Sequence, residues 1–257
     1  MRRLIAFPCA EETLVGSLDE AAGATGVLIV SGGNELRIGA HRGMAELAAR
    51  LSAAGVPVLR FDRRGIGDSS GENGGWESSA EDIAAAAAAF RAEGVTRVIG
   101  FGNCDAATAL ALFGGVDALV LSNPWLGDQA DALPPPAAIR ARYAERLRDP
   151  RALLRLLTGG VNIRNLVSGL RKAAATPPEP SLAGRMAASL EAYAGPVTLL
   201  LAARDNTALA FRDAWRSPAF AALRARVPLH EHDTASHSYQ HPADKDWLLE
   251  RLLYSAA

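Results

Sequence analysis

The sequence predicts an α/β protein with a mostly parallel sheet of eight strands and helices on both faces. Three observations predict it. Short runs that are apolar along their length, such as "GVLIVSGG" (26–33), "DALVLSNP" (117–124) and "PVTLLLAARD" (196–205), read as strands buried on both faces. Helical segments recur between such strands, as parallel crossovers require. The start of the chain departs from this alternation: "RLIAF" with Phe7 (2–7) and "TLVGSL" (13–18) are separated by a few polar residues and suit an antiparallel hairpin at one edge.

After the strand 26–33, "HRGMAELAARLSAAG" (41–55) places Met44, Leu47, Ala48 and Leu51 on one helix face and stops at Gly55. "VPVLRFD" (56–62) is the next strand, and "RRGIGDSSGENGG" (63–75) is a glycine-rich loop with Asp62 and Arg63 expected to pair. "SSAEDIAAAAAAFRAEG" (78–94) opens with Ser78 three residues before Glu81, a capping box, and runs as a helix to Gly94. "VIGFGNCDAATALALFGG" (98–115) reads as strand, tight turn and helix. The last strand candidate is the polar "RVPLHEHD" (226–233), and "DKDWLLERLLYSA" (244–256) closes the chain as an amphipathic helix. Hairpin first, parallel strands after: this is the order of the α/β-hydrolase architecture. A dinucleotide-binding fold competes, but the strand 26–33 is not followed by G-x-G-x-x-G.

Residues 126–194 interrupt the alternation. They contain "LPPPAAIRARYAERLRDPRALLRLLTGGVNIRNLVSGLRKAAATPPEP", with no strand pattern, and are expected to form a helical cap inserted into a core of residues 1–125 and 195–257. Between residues 138 and 172 nine basic residues face two acidic ones, a local +7 in a chain whose formal net charge is −1. Such a run is either a set of solvated helix faces or a surface for an anionic substrate, lipid or acidic carrier. The overall charge points neither to nucleic acid nor to an anionic membrane surface. No apolar run approaches the ~18 residues of a membrane span, and the first residues lack a signal-peptide pattern. A reducing cytoplasm is the expected compartment, with Cys9 and Cys104 as free thiols.

Gly102-Asn103-Cys104-Asp105-Ala106 has the form of a nucleophile elbow with cysteine in the place of serine. Small residues flank the nucleophile of such a turn because backbone segments approach closely there. The turn sets Cys104 at a helix N-terminus, where the macrodipole favours a thiolate. Cys104 could instead be a small buried residue filling a turn. A working nucleophile needs a base and an orienting acid, in the chain order nucleophile, acid, histidine. His237, in the loop after the last strand, is the expected base, with His241 as the alternative; His41, His230 and His232 read as surface or strand residues. Asp205, ending the strand 196–205, is the expected acid, with Asp233 as its rival. A neutral His237 would take the thiol proton while Asp205 fixes its tautomer.

The oxyanion of an acyl intermediate needs two N–H donors. Asp105 N–H is one; Gly33 or Asn34 N–H, in the loop after the strand 26–33, is the other. Glu35, Arg37 and His41 follow and could line the pocket, or Asn34 and Glu35 could cap the coming helix. "RFDRRGIGDSSG" lacks the G-K-[ST] ending of a phosphate loop, and no Cys/His spacing suits a metal, so no cofactor is expected.

"VSGGNELRIGAHRGMAELAARL", "RFDRRGIGDSSGENGGWESS", "FGNCDAATALALF" and "LPPPAAIRARY" together resemble the exosortase A system-associated hydrolase 1 family of α/β hydrolases. The resemblance covers almost the whole chain and implies a setting in bacterial exopolysaccharide and exosortase systems. It also implies that the cysteine is native to the elbow, in the same G-N-C-D-A context, and it maps nucleophile, acid and base to Cys104, Asp205 and His237. Ser236 stands where an acidic residue is expected before the histidine. The expected activity is hydrolysis or transfer of an acyl group from an ester or thioester, small or carrier-bound and anionic if the basic segment meets it. A non-catalytic partner protein of the same machinery is the alternative.

Overall fold

The computed structural model describes residues 1–127 and 181–257. Eight strands form one sheet: β1 (Arg2–Cys9), β2 (Glu12–Asp19), β3 (Thr25–Val30), β4 (Val58–Phe61), β5 (Arg97–Asn103), β6 (Ala118–Ser122), β7 (Val197–Ala202) and β8 (Leu229–His232). Their order across the sheet is β1-β2-β4-β3-β5-β6-β7-β8. β1 pairs antiparallel with β2, and β2 antiparallel with β4; from β4 to β8 every pairing is parallel. The hairpin therefore lies at the edge, as the polar break after Cys9 implied.

The apolar strands are two-sided. Along β3, Leu28 and Val30 enter one core together with Leu59, Phe61, Leu119, Leu121, Leu199 and Leu201. Their neighbours Val27 and Ile29 enter the other, with Val58, Ile99, Phe101, Val120 and Leu200. This is the period-two alternation of a strand covered on both faces. The helices α1 (Gly43–Ala53) and α6 (Pro242–Ala256) cover the second face, and α2 (Ser79–Ala92), α3 (Asp105–Phe113) and α4 (Leu182–Ala192) cover the first. Another helix, α5 (Asn206–Trp215), follows β7 directly.

Several local expectations change. A 3₁₀ turn, Ala40–Arg42, precedes α1, with His41 and Arg42 at positive φ, so the helix starts at Gly43 and not at residue 41. Ser78 does not form a capping box: it ends a 3₁₀ turn (Trp76–Ser78), and its hydroxyl donates back to the Gly75 carbonyl at 2.9 Å. Asp62 does not pair with Arg63. It accepts from Arg37, through the Arg37 N–H at 2.7 Å and the guanidinium, because the β3–α1 loop folds over the end of β4. α4 lies inside the span assigned to the insertion, yet Met186, Ala187 and Leu190 are buried in the first core, so the sheet-covering layer resumes near residue 181 and not at 195. The remainder of the expected cap, including the basic run 138–172, lies outside the described residues.

Candidate active site

The turn between β5 and α3 holds Cys104 at φ 61°, ψ −126°, a conformation that non-glycine residues adopt only when their surroundings impose it. Three contacts impose it. Cys104 N–H donates to Ser122 O at 3.0 Å, and Cys104 O accepts from Trp125 N–H at 3.2 Å and Thr108 N–H at 3.3 Å. Gly102 is needed two residues earlier: a Cβ there would lie 2.7 Å from the Ala106 carbonyl carbon. The sequence pattern of apolar strand, small residues and Ala/Leu-rich helix thus closes as a sharp elbow that leaves the Cys104 side chain on the wall of a cavity of about 420 Å³.

The histidine and the acid meet at the same place. His237 Nδ1 lies 3.0 Å from Asp205 Oδ2, and Cys104 stands close enough to the same imidazole to raise it. Asp205 is also the N-cap of α5, where its Oδ2 accepts the Ala208 N–H at 3.1 Å. Burial pushes the Asp205 carboxyl up, but the His237 hydrogen bond and charge and the helix N–H groups outweigh it and hold the carboxyl below its ordinary value. His237 is raised to about 10, first by the Asp205 hydrogen bond and then by Cys104, against desolvation. These contacts favour the protonated imidazole over the neutral form expected from sequence.

The alternatives fall away on geometry. His241 is exposed at the start of α6, and His41 is exposed on its 3₁₀ turn. Asp233 pairs with Arg204 at 2.9 Å, both well exposed. His232 binds Asp244 at 2.9 Å and stacks on Trp247, which ties the end of β8 to α6.

Sequence reasoning missed what holds the histidine loop. His237 O accepts Asn103 Nδ2 at 3.1 Å and Asn123 Nδ2 at 3.3 Å. Asn123, fully buried at φ 42°, also donates to Asn103 Oδ1 at 3.0 Å and accepts Ala202 N–H at 2.8 Å. One amide side chain thereby joins the ends of β5, β6 and β7 to the loop after β8. Its signal was a polar Asn at the C-terminal end of an otherwise apolar strand, in "VLSNP". Ser236 shapes the loop from within: its N–H donates to Thr234 Oγ1 at 3.1 Å, and its Oγ accepts Gln240 N–H at 3.0 Å.

The other side of Cys104 departs from expectation. Gly33, Asn34, Glu35 and Asp105 all line the cavity. The Gly33 N–H, however, is taken: it donates to Asp105 Oδ2 at 2.6 Å. The sequence reading considered the Asp105 backbone N–H alone, yet the Asp105 side chain folds back onto the β3–α1 loop. Arg63 fixes the loop from behind by donating to Gly33 O, Gly75 O and Ser79 Oγ. Asn34 Oδ1 accepts Asn73 Nδ2 at 2.6 Å. Glu35 caps the 3₁₀ turn through Ala40 N–H at 2.6 Å, not α1 itself. Burial, joined by the nearby Asp105 charge, raises the Glu35 carboxyl above its ordinary value. Arg37 does not line the cavity: it is spent on Asp62, on Asp68 at 2.8 Å and on Ser17 Oγ at 3.1 Å. Trp76 and Trp125, edge to face with ring centroids 6.0 Å apart, complete the wall.

Among the described residues no cluster of His, Cys, Asp and Glu could hold a metal ion, and no helix is long and apolar enough to cross a membrane. Cys9 is buried, donates to Asp82 at 3.4 Å and is raised to about 11, chiefly by desolvation. It has no part in the cavity.

The chain was compared with known proteins. A model of the alpha/beta hydrolase family matches residues 27–250. No curated protein matches. Among solved structures, an esterase of Pyrococcus furiosus shares 17% identity at a TM-score of 0.63, over 100% of this chain and 94% of the esterase. The alpha/beta hydrolase GrgF of Penicillium sp. sh18 shares 17% at 0.59, over 99% and 97% of the two chains. A proline iminopeptidase of Mycobacterium smegmatis shares 14% at 0.56, over 98% of each. At these identities the likeness is one of fold.

Proposed function

The chain belongs to the alpha/beta hydrolase family, and from that premise we propose that it is an acyl hydrolase or acyltransferase in which Cys104 is the nucleophile, His237 the acid–base residue and Asp205 its orienting acid. The observation that carries this reading is the His237 imidazole held by Asp205 at 3.0 Å and lining the same cavity as Cys104, which sits at a strained elbow on its wall. A sulfur beside an imidazolium is the general setting of cysteine nucleophiles.

In the proposed reaction the Cys104 sulfur attacks the carbonyl carbon of an ester or thioester and forms a tetrahedral oxyanion. The Asp105 N–H, in the first turn of α3 where N–H groups have no intrahelical acceptor, receives the oxyanion. Collapse breaks the bond to the leaving group, which takes its proton from His237. Water or an acceptor then attacks the acyl-cysteine, giving its proton to His237, and expulsion of the Cys104 sulfur with cleavage of the acyl–sulfur bond restores the starting sulfur–imidazolium pair. Asp205 keeps Nδ1 of the ring engaged throughout. The resemblance to the exosortase-associated hydrolases supports an acyl substrate from exopolysaccharide or protein-sorting chemistry.

The occupied Gly33 N–H favours a second reading, a hydrolase scaffold that acts as a non-catalytic partner in the same machinery. Intact-mass spectrometry after incubation with p-nitrophenyl esters and acyl thioesters separates the two. The enzyme reading expects an acyl adduct on Cys104 that vanishes in Cys104→Ala. Absence of any adduct across the panel, with the thiol still accessible to alkylation, overturns it.

A further inference from the structure

The carboxylate of Asp105 sits where an acyl oxyanion would need a hydrogen bond. Its Oδ2 accepts the Gly33 N–H at 2.6 Å, and its Oδ1 lies only 2.1 Å from where a Cβ on Gly32 would be. Glycine at 32 leaves the room into which this carboxylate fits. Arg63, buried behind the loop, donates to the Gly33 carbonyl and so fixes the peptide unit that follows the occupied Gly33 N–H. The seat is therefore fixed at Gly33 on both of its peptide units, by Asp105 at the N–H and by Arg63 at the carbonyl.

The wall beside this carboxylate has the same electrical sense. Glu35 lines the cavity close enough to Asp105 for the Asp105 charge to raise its carboxyl further. The indoles of Trp76 and Trp125 line the same cavity; neither lysine nor arginine does among the described residues, and the basic group that does, His237, is held by Asp205. Carboxylates and indoles lining one cavity are an environment for a cation. The anionic substrate expected from the basic run 138–172 rests on residues outside the described ones.

We propose that Asp105 is a specificity-determining residue: its carboxylate keeps the Gly33 N–H occupied until an acyl substrate bearing a protonated amine or other cationic group draws it away and frees that N–H for the oxyanion. The proposal rests on the acyl-transfer reading above. A neutral acyl compound meets a carboxylate beside its developing negative charge; a cationic one supplies that carboxylate with a partner. Asp105 is thus both a barrier to plain esters and an anchor for the right substrate.

Two measurements on the full-length protein test it. The first compares modification of Cys104 by trimethylammonium-ethyl and sulfonato-ethyl methanethiosulfonate, reagents with one reactive group and opposite charge. The wild type favours the cationic reagent, and Asp105→Ala and Asp105→Asn lower that preference on the order of tenfold. The second follows acylation of Cys104 by p-nitrophenyl butyrate, a neutral ester. Asp105→Ala accelerates it on the order of tenfold by freeing a donor whose removal elsewhere costs about 10²–10³ in rate, and Asp105→Asn accelerates it less because its amide oxygen still accepts from Gly33. A gain on the neutral ester together with a loss of cation preference is a pair of opposite changes that mere destabilisation does not produce. An unchanged reagent ratio with unchanged or slower acylation overturns the proposal. A shifted ratio with no acylation in any variant overturns the acyl-transfer reading and leaves the cation selectivity of Asp105 standing.

Discussion

On one side of Cys104 the imidazole of His237 is gripped by Asp205 at Nδ1, while its backbone carbonyl is gripped by Asn103 and Asn123. On the other side the Gly33 N–H, the group best placed to meet an oxyanion, is gripped by a carboxylate from the residue next to the nucleophile. The proton-handling half is assembled before any substrate arrives; the charge-stabilising half is filled by the protein itself. In the proposed reaction, attack and leaving-group protonation are general to any acyl compound that reaches the sulfur, and the proposed discrimination resides on the Gly33 side. The contrast is electrostatic as well. The His237 side pairs a partly exposed imidazole with a largely buried carboxylate, whereas the Gly33 side gathers like charges, with Glu35 raised by burial and by Asp105.

The strongest way to break this comparison is to remove the assembled half. His237→Ala is expected to slow acylation of Cys104 about 10²–10⁴-fold, the usual worth of a positioned acid–base group, as read by intact mass against time. Removing Asp105 acts in the opposite direction on a neutral ester, so equal losses at both positions would dissolve the contrast. The same variant carries a pH test. His237 is raised from 6.5 to about 10, so the stability it contributes is fully present below pH 6.5 and lost as the pH rises through about 10. The difference in thermal midpoint between wild type and His237→Ala is therefore expected to be largest near pH 6 and to shrink toward pH 10. A difference that grows over that range contradicts the imidazolium.

The half that was legible in the sequence is the half built from local rules. The elbow announces itself because an apolar strand, Gly102 and a run of alanines leave the chain little other geometry. Asp205 and His237 follow because each ends or follows a strand at the same edge of a parallel sheet, and strand alternation gives that edge away. The parallel order was readable for the same reason, since Val27 to Val30 are apolar at every position. What stayed hidden depends on contacts between distant segments. Nothing local tells whether Asp105 turns its carboxylate to solvent or to a loop 72 residues away. Arg37 looked like a pocket residue by proximity to Gly33, but Asp62 at the end of β4 captures it. The amphipathic helix α4 was absorbed into the insertion because the proline-rich stretch before it masks where the core resumes.

Asn123 sharpens the comparison at the level of support. Its amide, at the end of β6, joins three backbone or side-chain groups from β5, β7 and the histidine loop, and it is fully buried. Asn123→Ala leaves the Ala202 N–H without its acceptor and keeps the unfavourable positive φ without a polar side chain to stabilise it. A destabilisation of about 2–3 kcal/mol is expected, measured by urea unfolding. Acylation should slow with it, because the His237 carbonyl loses one of its two amide partners, while the methanethiosulfonate charge preference set on the Gly33 side stays unchanged. A change in that preference would mean that the two sides are coupled through β5.

Ser236 offers the smallest and most pointed change. An acidic residue before the histidine would have been a second candidate for orienting the ring, and serine in its place raised the question of what orients His237. Here Asp205 alone meets Nδ1, and Ser236 works on the backbone by accepting the Gln240 N–H. Ser236→Ala removes one partly exposed hydrogen bond, worth about 1 kcal/mol, and should lower the thermal midpoint by about 2–4 °C. The acylation rate at neutral pH should change less than about threefold, since neither the Asp205 contact nor the Asn103 and Asn123 clamps depend on that hydroxyl. A loss as large as that of His237→Ala would place Ser236 in the orientation of the ring itself, and the assembled half would then rest on the loop's internal turn as much as on Asp205.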